Sequence, residues 1–228
     1  MELLRLEGLT KRYVSGTEVL TILDKVDLSI PAGSVTVFTG ESGSGKSTLL
    51  NIIGALDNPD SGQIRVDGIR VDQLAEAETN RYRSETVGFV FQFHYLLPEF
   101  TARENVLMPY LINHGRADRR IRERADELFE LAGISKVKNN LAPNMSGGQQ
   151  QRTAIIRALI NDPRIILADE PTGNLDTATT AAIYRLFRQI NETYKTTFII
   201  VTHDRKIAEQ TDRIIEIKDG RIEMDVKK

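Results

Sequence analysis

The sequence contains no cysteine, so no disulfide can stabilise its fold. That absence is typical of proteins that stay in a reducing compartment. The N-terminus also lacks the apolar region of a signal peptide, because the charged residues Glu2, Arg5 and Glu7 interrupt it. We therefore expect a cytoplasmic location.

Long apolar runs and an excess of one charge are missing as well. Apolar runs such as residues 49–56 and 198–201 fall far short of the roughly 20 residues that span a bilayer. Lys and Arg number 30 against 32 Asp and Glu, and the net charge of −2 disfavours a protein that coats nucleic acid. The 228 residues are 40% hydrophobic and 27% charged, as in ordinary globular proteins. We expect a folded protein with no nucleic-acid partner.

Strand signals dominate the first forty residues. Val26, Leu28 and Ile30 alternate with polar residues, and a strand-like run follows at 35–39. Asp-Gly pairs at 67–68 and 219–220 follow apolar alternation, which is the strongest short signal for a hairpin turn. These patterns predict a β-rich start to the chain and a tight turn at each Asp-Gly pair.

The pattern becomes helical from about residue 97 to residue 160. Thr101 and Glu104 have the spacing of a capping box at a helix start. The apolar face of a following helix would consist of Ile121, Ala125, Leu128, Phe129 and Ala132. We predict a helical subdomain of about residues 93–160, inserted within one domain that spans residues 1–228.

Two short apolar runs flank another helical pattern further along the chain. The runs at 165–168 and 198–201 have the character of buried parallel strands. The helix between them would carry Ile183, Leu186, Phe187, Ile190 and Tyr194 on its apolar face. Such a βαβ unit predicts an α/β fold whose ligand chemistry lies at the carboxyl ends of the strands.

A phosphate-binding loop is the most specific single motif. It consists of Gly40-Glu41-Ser42-Gly43-Ser44-Gly45-Lys46-Ser47, between the strand-like run at 35–39 and a helical pattern at 48–56. The glycines let backbone N–H groups surround an anion at a helix N-terminus. Lys46 would supply a cation for the β- and γ-phosphates, and Ser47 a hydroxyl for Mg²⁺. The alternative is a glycine-rich turn without a ligand.

Two carboxylates follow the buried run at 165–168. Burying ionised groups at the end of an apolar strand costs free energy unless a cation or a reactive water lies beside them. Asp169 suits Mg²⁺, directly or through water, whereas Glu170 points elsewhere and could polarise an attacking water. The structural alternative for this pair is a helix cap.

A second helix start has the features of an anion-binding site. Ser146 is the expected N-cap, and it is followed by Gly147, Gly148 and Gln149. Free N–H groups, a positive dipole and close backbone approach would all favour phosphate there. One γ-phosphate does not need two such sites, so we interpret this end as binding a nucleotide held by another copy of the chain.

Taken in order, these residues form a recognisable set. It comprises Tyr13, the loop from Gly40 to Thr48, Gln92, Met145 to Gln149, Asp169-Glu170, Asn174-Leu175-Asp176 and His203. The set covers almost the entire chain and resembles the motifs of ATP-binding-cassette (ABC) ATPases. The resemblance implies a RecA-like core with an antiparallel β-subdomain and a helical insertion, and it implies hydrolysis of ATP with Mg²⁺.

The resemblance also implies individual roles. The loop from Gly40 to Thr48 would bind the phosphates and Tyr13 would stack on adenine, although an aromatic on a half-buried strand is the plain alternative. Gln92 would contact Mg²⁺ or the attacking water, beside Ser47 and Asp169 as metal ligands. His203 would contact the γ-phosphate and hold Glu170 and the water. Residues of a second copy would complete the site in trans, namely Ser146, Gly147, Gly148, Gln149 and Asp176.

A narrower resemblance lies in the segment from Phe91 to Val106. It is similar to the ATPase subunits of lipoprotein-releasing systems, the LolD type, within the wider group that includes MacB-type exporters. This implies a separate integral membrane partner, with the ATPase bound peripherally on the cytoplasmic side of the bacterial inner membrane. The expected docking groove is lined by Phe93, Tyr95, Leu96, Leu97 and Phe100.

ABC ATPases also have functions other than lipoprotein release. Soluble ABC ATPases that act on DNA or ribosomes would show a long heptad insertion, zinc-binding cysteines or tandem cassettes, and the sequence has none of these. A MacB-like exporter, or an FtsE-like complex that signals across the membrane without cargo, stays open as an alternative.

Overall fold

Two sheets and six α-helices form the part of the chain that the computed structural model describes, residues 1–16, 18–204 and 211–228. The strands are β1 (Glu2–Ser15), β2 (Glu18–Pro31), β3 (Val35–Thr39), β4 (Ser61–Val66), β5 (Ile69–Arg70), β6 (Val87–Phe91), β7 (Ile165–Asp169), β8 (Thr197–Val201), β9 (Arg213–Lys218) and β10 (Arg221–Lys227). The helices are α1 (Lys46–Ile53), α2 (Glu76–Glu85), α3 (Ala102–His114), α4 (Arg119–Leu131), α5 (Gly147–Leu159) and α6 (Thr177–Tyr194).

The larger sheet is parallel over five of its six strands. Its order is β10-β9-β3-β8-β7-β6, and only the edge pair β9–β10 is antiparallel. Strand β8 is buried at every position, as expected for a central parallel strand covered on both faces. The predicted runs at 165–168 and 198–201 are β7 and β8, each one residue longer than expected. The α/β prediction is confirmed.

The smaller sheet is antiparallel, in the order β2-β1-β4-β5. The Asp67-Gly68 pair joins β4 to β5, and Asp219-Gly220 joins β9 to β10. All four residues have positive φ, which is the backbone geometry of a type I′ hairpin turn. Both predicted tight turns are therefore present, one of them at the edge of the larger sheet.

Alternation along the parallel strands divides the apolar interior into two clusters. Val37, Ile166 and Ile200 belong to the cluster under α3–α6, whereas their neighbours Phe38 and Leu167 belong to the cluster under α1, α2 and the smaller sheet. The larger sheet is thus covered on both faces. Its strand ends are left free to carry polar chemistry.

Helices α3 and α5 begin where the sequence predicts. Thr101 and Glu104 form the capping box of α3, and the predicted apolar face of α4 is buried. Helix α5 contacts α3, α4, α6 and β6, so it joins these helices to the parallel sheet. Within the described residues, no helix is both long and apolar enough to cross a membrane.

The first helix differs from its predicted bounds of 48–56. It begins at Lys46 because Gly45 adopts a left-handed conformation, with φ of 104°, and directs the chain into the helix. It ends at Ile53, where the Gly54 N–H bonds back to the helix and Ala55 takes a positive φ of 54°. Local backbone geometry, rather than the apolar pattern, sets both ends.

Close packing of α5 on β6 yields a stability prediction. A Cβ at Gly88 would lie 2.6 Å from the Ala158 carbonyl oxygen, and this backbone atom cannot turn aside. We expect Gly88→Ala to lower the free energy of unfolding by about 1–3 kcal/mol through overpacking, measured by urea denaturation. Gly68→Asn, in an open turn, is the control and should change it by less. Equal stability of Gly88→Ala and the parent would contradict the packing described.

Candidate functional site

A cavity of about 540 Å³ opens at the carboxyl edge of the larger sheet. Its wall combines the loop before α1 with the residues that follow β6, β7 and β8. The lining residues are Ile22, Gly40, Ser42, Gly43, Gly45, Lys46, Ser47, Thr48, Gln92, Asp169, Glu170, Val201 and His203. Eleven of these thirteen residues are among the predicted site residues, and Ile22 and Val201 are the two that were not predicted.

The loop from Gly40 to Ser47 can only be built with glycine at two places. A Cβ at Gly40, where φ is 137°, would collide with the Ile217 carbonyl. A Cβ at Gly45, where φ is 104°, would lie 2.7 Å from the Ile22 carbonyl oxygen. The loop therefore fits closely against β2 and β9, and its backbone reaches the N-terminus of α1, where N–H groups are free to bind an anion.

The Lys46 ammonium is held inside this loop. Its Nζ donates to the carbonyl oxygens of Gly40, at 2.9 Å, and Glu41, at 2.6 Å, and to Ser44 Oγ at 3.3 Å. The residue is only 9% exposed. A buried cation beside a helix N-terminus makes a strongly anion-attracting position.

The two carboxylates have different surroundings. Asp169 ends β7, and its Oδ1 is buried without a hydrogen-bond partner among the described residues. Glu170 takes a positive φ of 46°, its N–H bonds the Val201 carbonyl at 3.0 Å, and its carboxylate lies 3.0 Å from His203 Nδ1. One acid therefore presents an uncompensated buried oxygen, and the other is fixed against an imidazole.

Gln92 connects this cavity to the loop before α6. It follows β6 directly, and its Nε2 donates to Asn174 Oδ1 at 3.2 Å. Its amide also lies over Gly173, where a Cβ would come within 2.8 Å of Nε2. The predicted loop at 174–176 is thus tied to the cavity through Gln92.

Tyr13 lies on β1, outside the cavity lining, with 44% of its surface exposed. Its hydroxyl donates to Asp57 Oδ2 at 2.6 Å, and Lys11 Nζ donates to Asp57 Oδ1 at 2.6 Å. Burial alone would raise the pKa of Asp57, but the hydrogen bonds from Lys11 and Tyr13 hold that pKa below its usual value. Asp57 is a partner that the sequence analysis missed, since nothing local marks it as a contact 44 residues away from Tyr13.

The helix start that is predicted to bind a second anion lies apart from the cavity. Ser146 caps α5, its N–H donating to Gln149 Oε1 at 2.9 Å, and Asp176 caps α6 by accepting from two N–H groups at 3.0 Å. A Cβ at Gly148 would lie 2.7 Å from Thr179, so the two helix starts adjoin each other. Neither Asp176 nor any residue from Ser146 to Gln149 lines the cavity.

A second groove, of about 400 Å³, lies between α2, α3 and the connection from β6 to α3. It is lined by Asn80, Arg83, Ser84, Tyr95, Leu97, Asn105, Met108, Pro109, Ile112, Asn113 and Arg157. Of the five residues predicted to line a docking groove, Tyr95 and Leu97 do so. Leu96 instead packs against the core, and Phe93 and Phe100 are absent from this lining, so the predicted set and this groove overlap only in part.

The family is decided by comparison with known proteins. The model of the ABC transporter family matches residues 23–173. The chain is 50% identical to the lipoprotein-releasing system ATP-binding protein LolD 1 of Rhodopseudomonas palustris, over 97% of this chain and 98% of that protein. The chain belongs to the ABC transporter family. This ABC cassette is an ATPase, and the predicted family and enzyme class are confirmed.

Two further relatives bear on the fold and on the wider group. The ATP-binding cassette MJ0796, solved as a dimer in a post-hydrolysis state bound to ADP and Pi, matches with a TM-score of 0.89 and 42% identity, over 99% of this chain and 98% of that one. The macrolide export ATP-binding/permease protein MacB of Rhodopirellula baltica is 43% identical over 99% of this chain, which corresponds to 33% of MacB. The predicted ABC ATPase fold is therefore confirmed.

The position of Lys46 gives a test of nucleotide binding by this cassette. We expect Lys46→Ala to weaken ATP binding by about 10- to 100-fold, because a charge-assisted contact to phosphate is lost. Binding is measured with a fluorescent ATP analogue. Lys136→Ala, which removes the same charge from an exposed position outside the cavity, is the control and should bind as the parent does. Parent-like binding by Lys46→Ala would contradict the assignment.

Proposed function

We propose that this cassette is the ATP-hydrolysing subunit of a complex that releases lipoproteins from the bacterial inner membrane. The LolD relative, matched along almost its whole length, supports this process. The observation that carries the mechanism is geometric: the start of α1 lines the cavity, whereas the Ser146-capped start of α5 does not. A second copy of the chain gives that end a phosphate to bind.

ATP occupies the cavity with its phosphates on the loop from Gly40 to Thr48. Lys46 and the N–H groups at the start of α1 neutralise the phosphate charge. The adenine stacks on Tyr13, whose ring is exposed and whose hydroxyl is fixed by Asp57. This extends the site beyond the cavity lining, toward β1.

The residues present fit Mg²⁺. Asp169 Oδ1 is a buried carboxylate oxygen with no hydrogen-bond partner among the described residues, a costly arrangement that a cation relieves. Ser47 and Gln92 line the same cavity and offer neutral oxygens. When bound together with ATP, Mg²⁺ neutralises charge on the β- and γ-phosphates. The protein contributes a single carboxylate at this position, which suits an ion that also binds substrate phosphates.

Glu170 orients and polarises the attacking water. Its carboxylate is held 3.0 Å from His203 Nδ1, and its backbone is fixed to β8 through the Val201 carbonyl. His203 then faces the γ-phosphate, and Gln92 lies beside the reacting groups at the end of β6. A water placed between a fixed base and the γ-phosphate needs little further reorganisation.

Two copies sandwich two ATP molecules head to tail. Each nucleotide then meets the cavity of one copy and, from the other copy, the surface formed by Ser146, Gly147, Gly148, Gln149 and Asp176. The dimeric state of the related cassette MJ0796 supports this arrangement. A site shared in this way is complete only while the copies are together.

ATP hydrolysis by the cassette drives a conformational change in a separate integral membrane protein. The inserted segment, about residues 93–160, moves relative to the parallel sheet as the dimer closes. A short cytoplasmic helix of the membrane partner lies in the groove lined by Tyr95, Leu97 and Ile112, and the cassette is thereby held on the cytoplasmic face of the inner membrane. The MacB relative makes export by a MacB-like assembly the second candidate function.

Replacing the proposed base tests the chemistry and the dimer together. We expect Glu170→Gln to lower turnover by about 10²–10⁴-fold while leaving ATP binding intact, because the amide cannot act as a base. In light scattering, this variant should double in mass when ATP is added. A variant that hydrolyses ATP like the parent would refute the role of Glu170, and a mass that stays monomeric would refute the sandwich.

Docking in the groove has its own test. Leu97→Asp places a charge in the groove, so it should abolish co-purification with the membrane partner and any stimulation by it, while basal hydrolysis stays unchanged. Val226→Asp is the matched control, because both side chains are 41% exposed and Val226 lies far along the chain on β10. If the Leu97→Asp chain still assembles with the partner and is stimulated, the docking surface lies elsewhere.

A further inference from the structure

One buried amide joins α5 to the ends of two strands. Gln151 has no exposed surface, and its Nε2 donates to the Pro171 carbonyl at 2.6 Å and to the Phe91 carbonyl at 3.2 Å. Both partners are carbonyl oxygens, which only accept hydrogen bonds, so the two N–H bonds of one amide hold both. Phe91 and Asp169 are paired in the sheet, so Gln151 bridges neighbouring strands at their carboxyl edge.

The amide is not explained by stability alone. Its Oε1 is buried without a hydrogen-bond partner among the described residues, which is an unfavourable arrangement. Local rules of this kind are broken mainly at functional sites, so an unsatisfied buried group in a well-packed helix indicates a functional role. The amide group is also planar, so one carbonyl cannot shift far relative to the other without weakening a hydrogen bond to Gln151.

The two carbonyls flank residues of the nucleotide site. Phe91 immediately precedes Gln92, and Pro171 immediately follows Glu170. On the other side, Gln151 lies four residues from Gly147, the first residue of α5, which corresponds to about 6 Å along the helix. Gln151 therefore lies between the start of α5, which is proposed to meet the nucleotide of a second copy, and the backbone beside Gln92 and Glu170.

We propose that Gln151 is a positioning residue that couples the two nucleotide sites of the dimer. This inference rests on the proposed function, since it needs the head-to-tail arrangement. When the start of α5 meets the nucleotide of the second copy, α5 shifts, and Gln151 transmits the shift to Phe91 and Pro171. Gln92 and Glu170 reach their reactive positions in response, so each site senses occupation of the other.

The neighbouring glutamine provides a matched control. Gln150 Nε2 also donates to two backbone carbonyls, those of Ala142 at 2.9 Å and Met145 at 3.2 Å. Both of these partners lie just before α5, in the same helical part of the chain. Gln150 thus has the same chemistry and the same helix as Gln151, but it makes no bridge to the strand ends.

The experiment compares Gln151→Met and Gln151→Asn with Gln150→Met in the full chain. The first removes the donors at similar volume, and the second keeps an amide that is too short to reach both carbonyls. ATPase rate is measured against ATP concentration, with ATP affinity and the unfolding midpoint measured in parallel. We expect both Gln151 variants to lose cooperativity, with the Hill coefficient falling to about 1, and to lose about tenfold in kcat, at unchanged ATP affinity. Gln150→Met should match the parent in all of these.

The outcomes separate this inference from the function on which it rests. Cooperative hydrolysis by a folded Gln151 variant, or an equal effect of Gln150→Met, overturns the coupling role. A non-cooperative parent overturns it as well. Loss of ATP affinity in step with kcat would show a merely structural role. If Glu170→Gln fails to dimerise with ATP, the proposed function itself has failed, whatever the Gln151 variants do.

Discussion

Parallel pairing of the central strands is the constraint on which the rest of the structure depends. The register joins Phe91 to Asp169, Asp169 to Val201, and Val201 to Phe38, so four strands end at one edge. The residues that continue from these strands are therefore neighbours, although Gly40 and His203 lie 163 positions apart in the sequence. Apolar runs buried on both faces fix that register, because a one-residue slip would move each side chain to the opposite cluster. The core thus brings together Gln92, Glu170 and His203, the proposed reactive residues, whereas Lys46 is held by its own loop.

Helix α5 connects this edge to the proposed dimer surface and to the proposed docking groove. Its start, capped by Ser146, does not line the cavity, and Gln151 in its second turn is hydrogen-bonded to the strand ends. Near its other end, Arg157 donates to the carbonyl oxygens of His94, at 2.9 Å, and Tyr95, at 2.6 Å, in the wall of the groove. One rigid element thus contacts the proposed partner-facing surface, the catalytic edge and the proposed docking groove. Because α5 contacts all three places, a movement of this one helix is enough to couple them.

Much of the fold and of the site could be predicted because it depends on local signals. The phosphate loop is marked by glycines at positions where no other residue fits, and the strand bounds follow from apolar runs. The parts that sequence reasoning missed depend on contacts between distant segments. Ile22 reaches the cavity only because β2 passes the loop at Gly45, and Asp57 reaches Tyr13 from the connection between α1 and β4. The groove was predicted from one segment, whereas α2 and α3 supply most of its wall. No pattern within a single element reports such contacts.

The central claim is that a complete catalytic site is built from two copies of this chain. Ser146→Asp keeps a good N-cap but adds a negative charge where the other copy's phosphate would lie, and Glu170→Gln removes the base. Each variant alone should be nearly inactive. A mixed dimer, however, has one intact site, with Glu170 from the first variant and Ser146 from the second. The measurement is the ATPase rate of the mixture: the account predicts clear recovery above the sum of the separate rates, and a rate equal to that sum would contradict it.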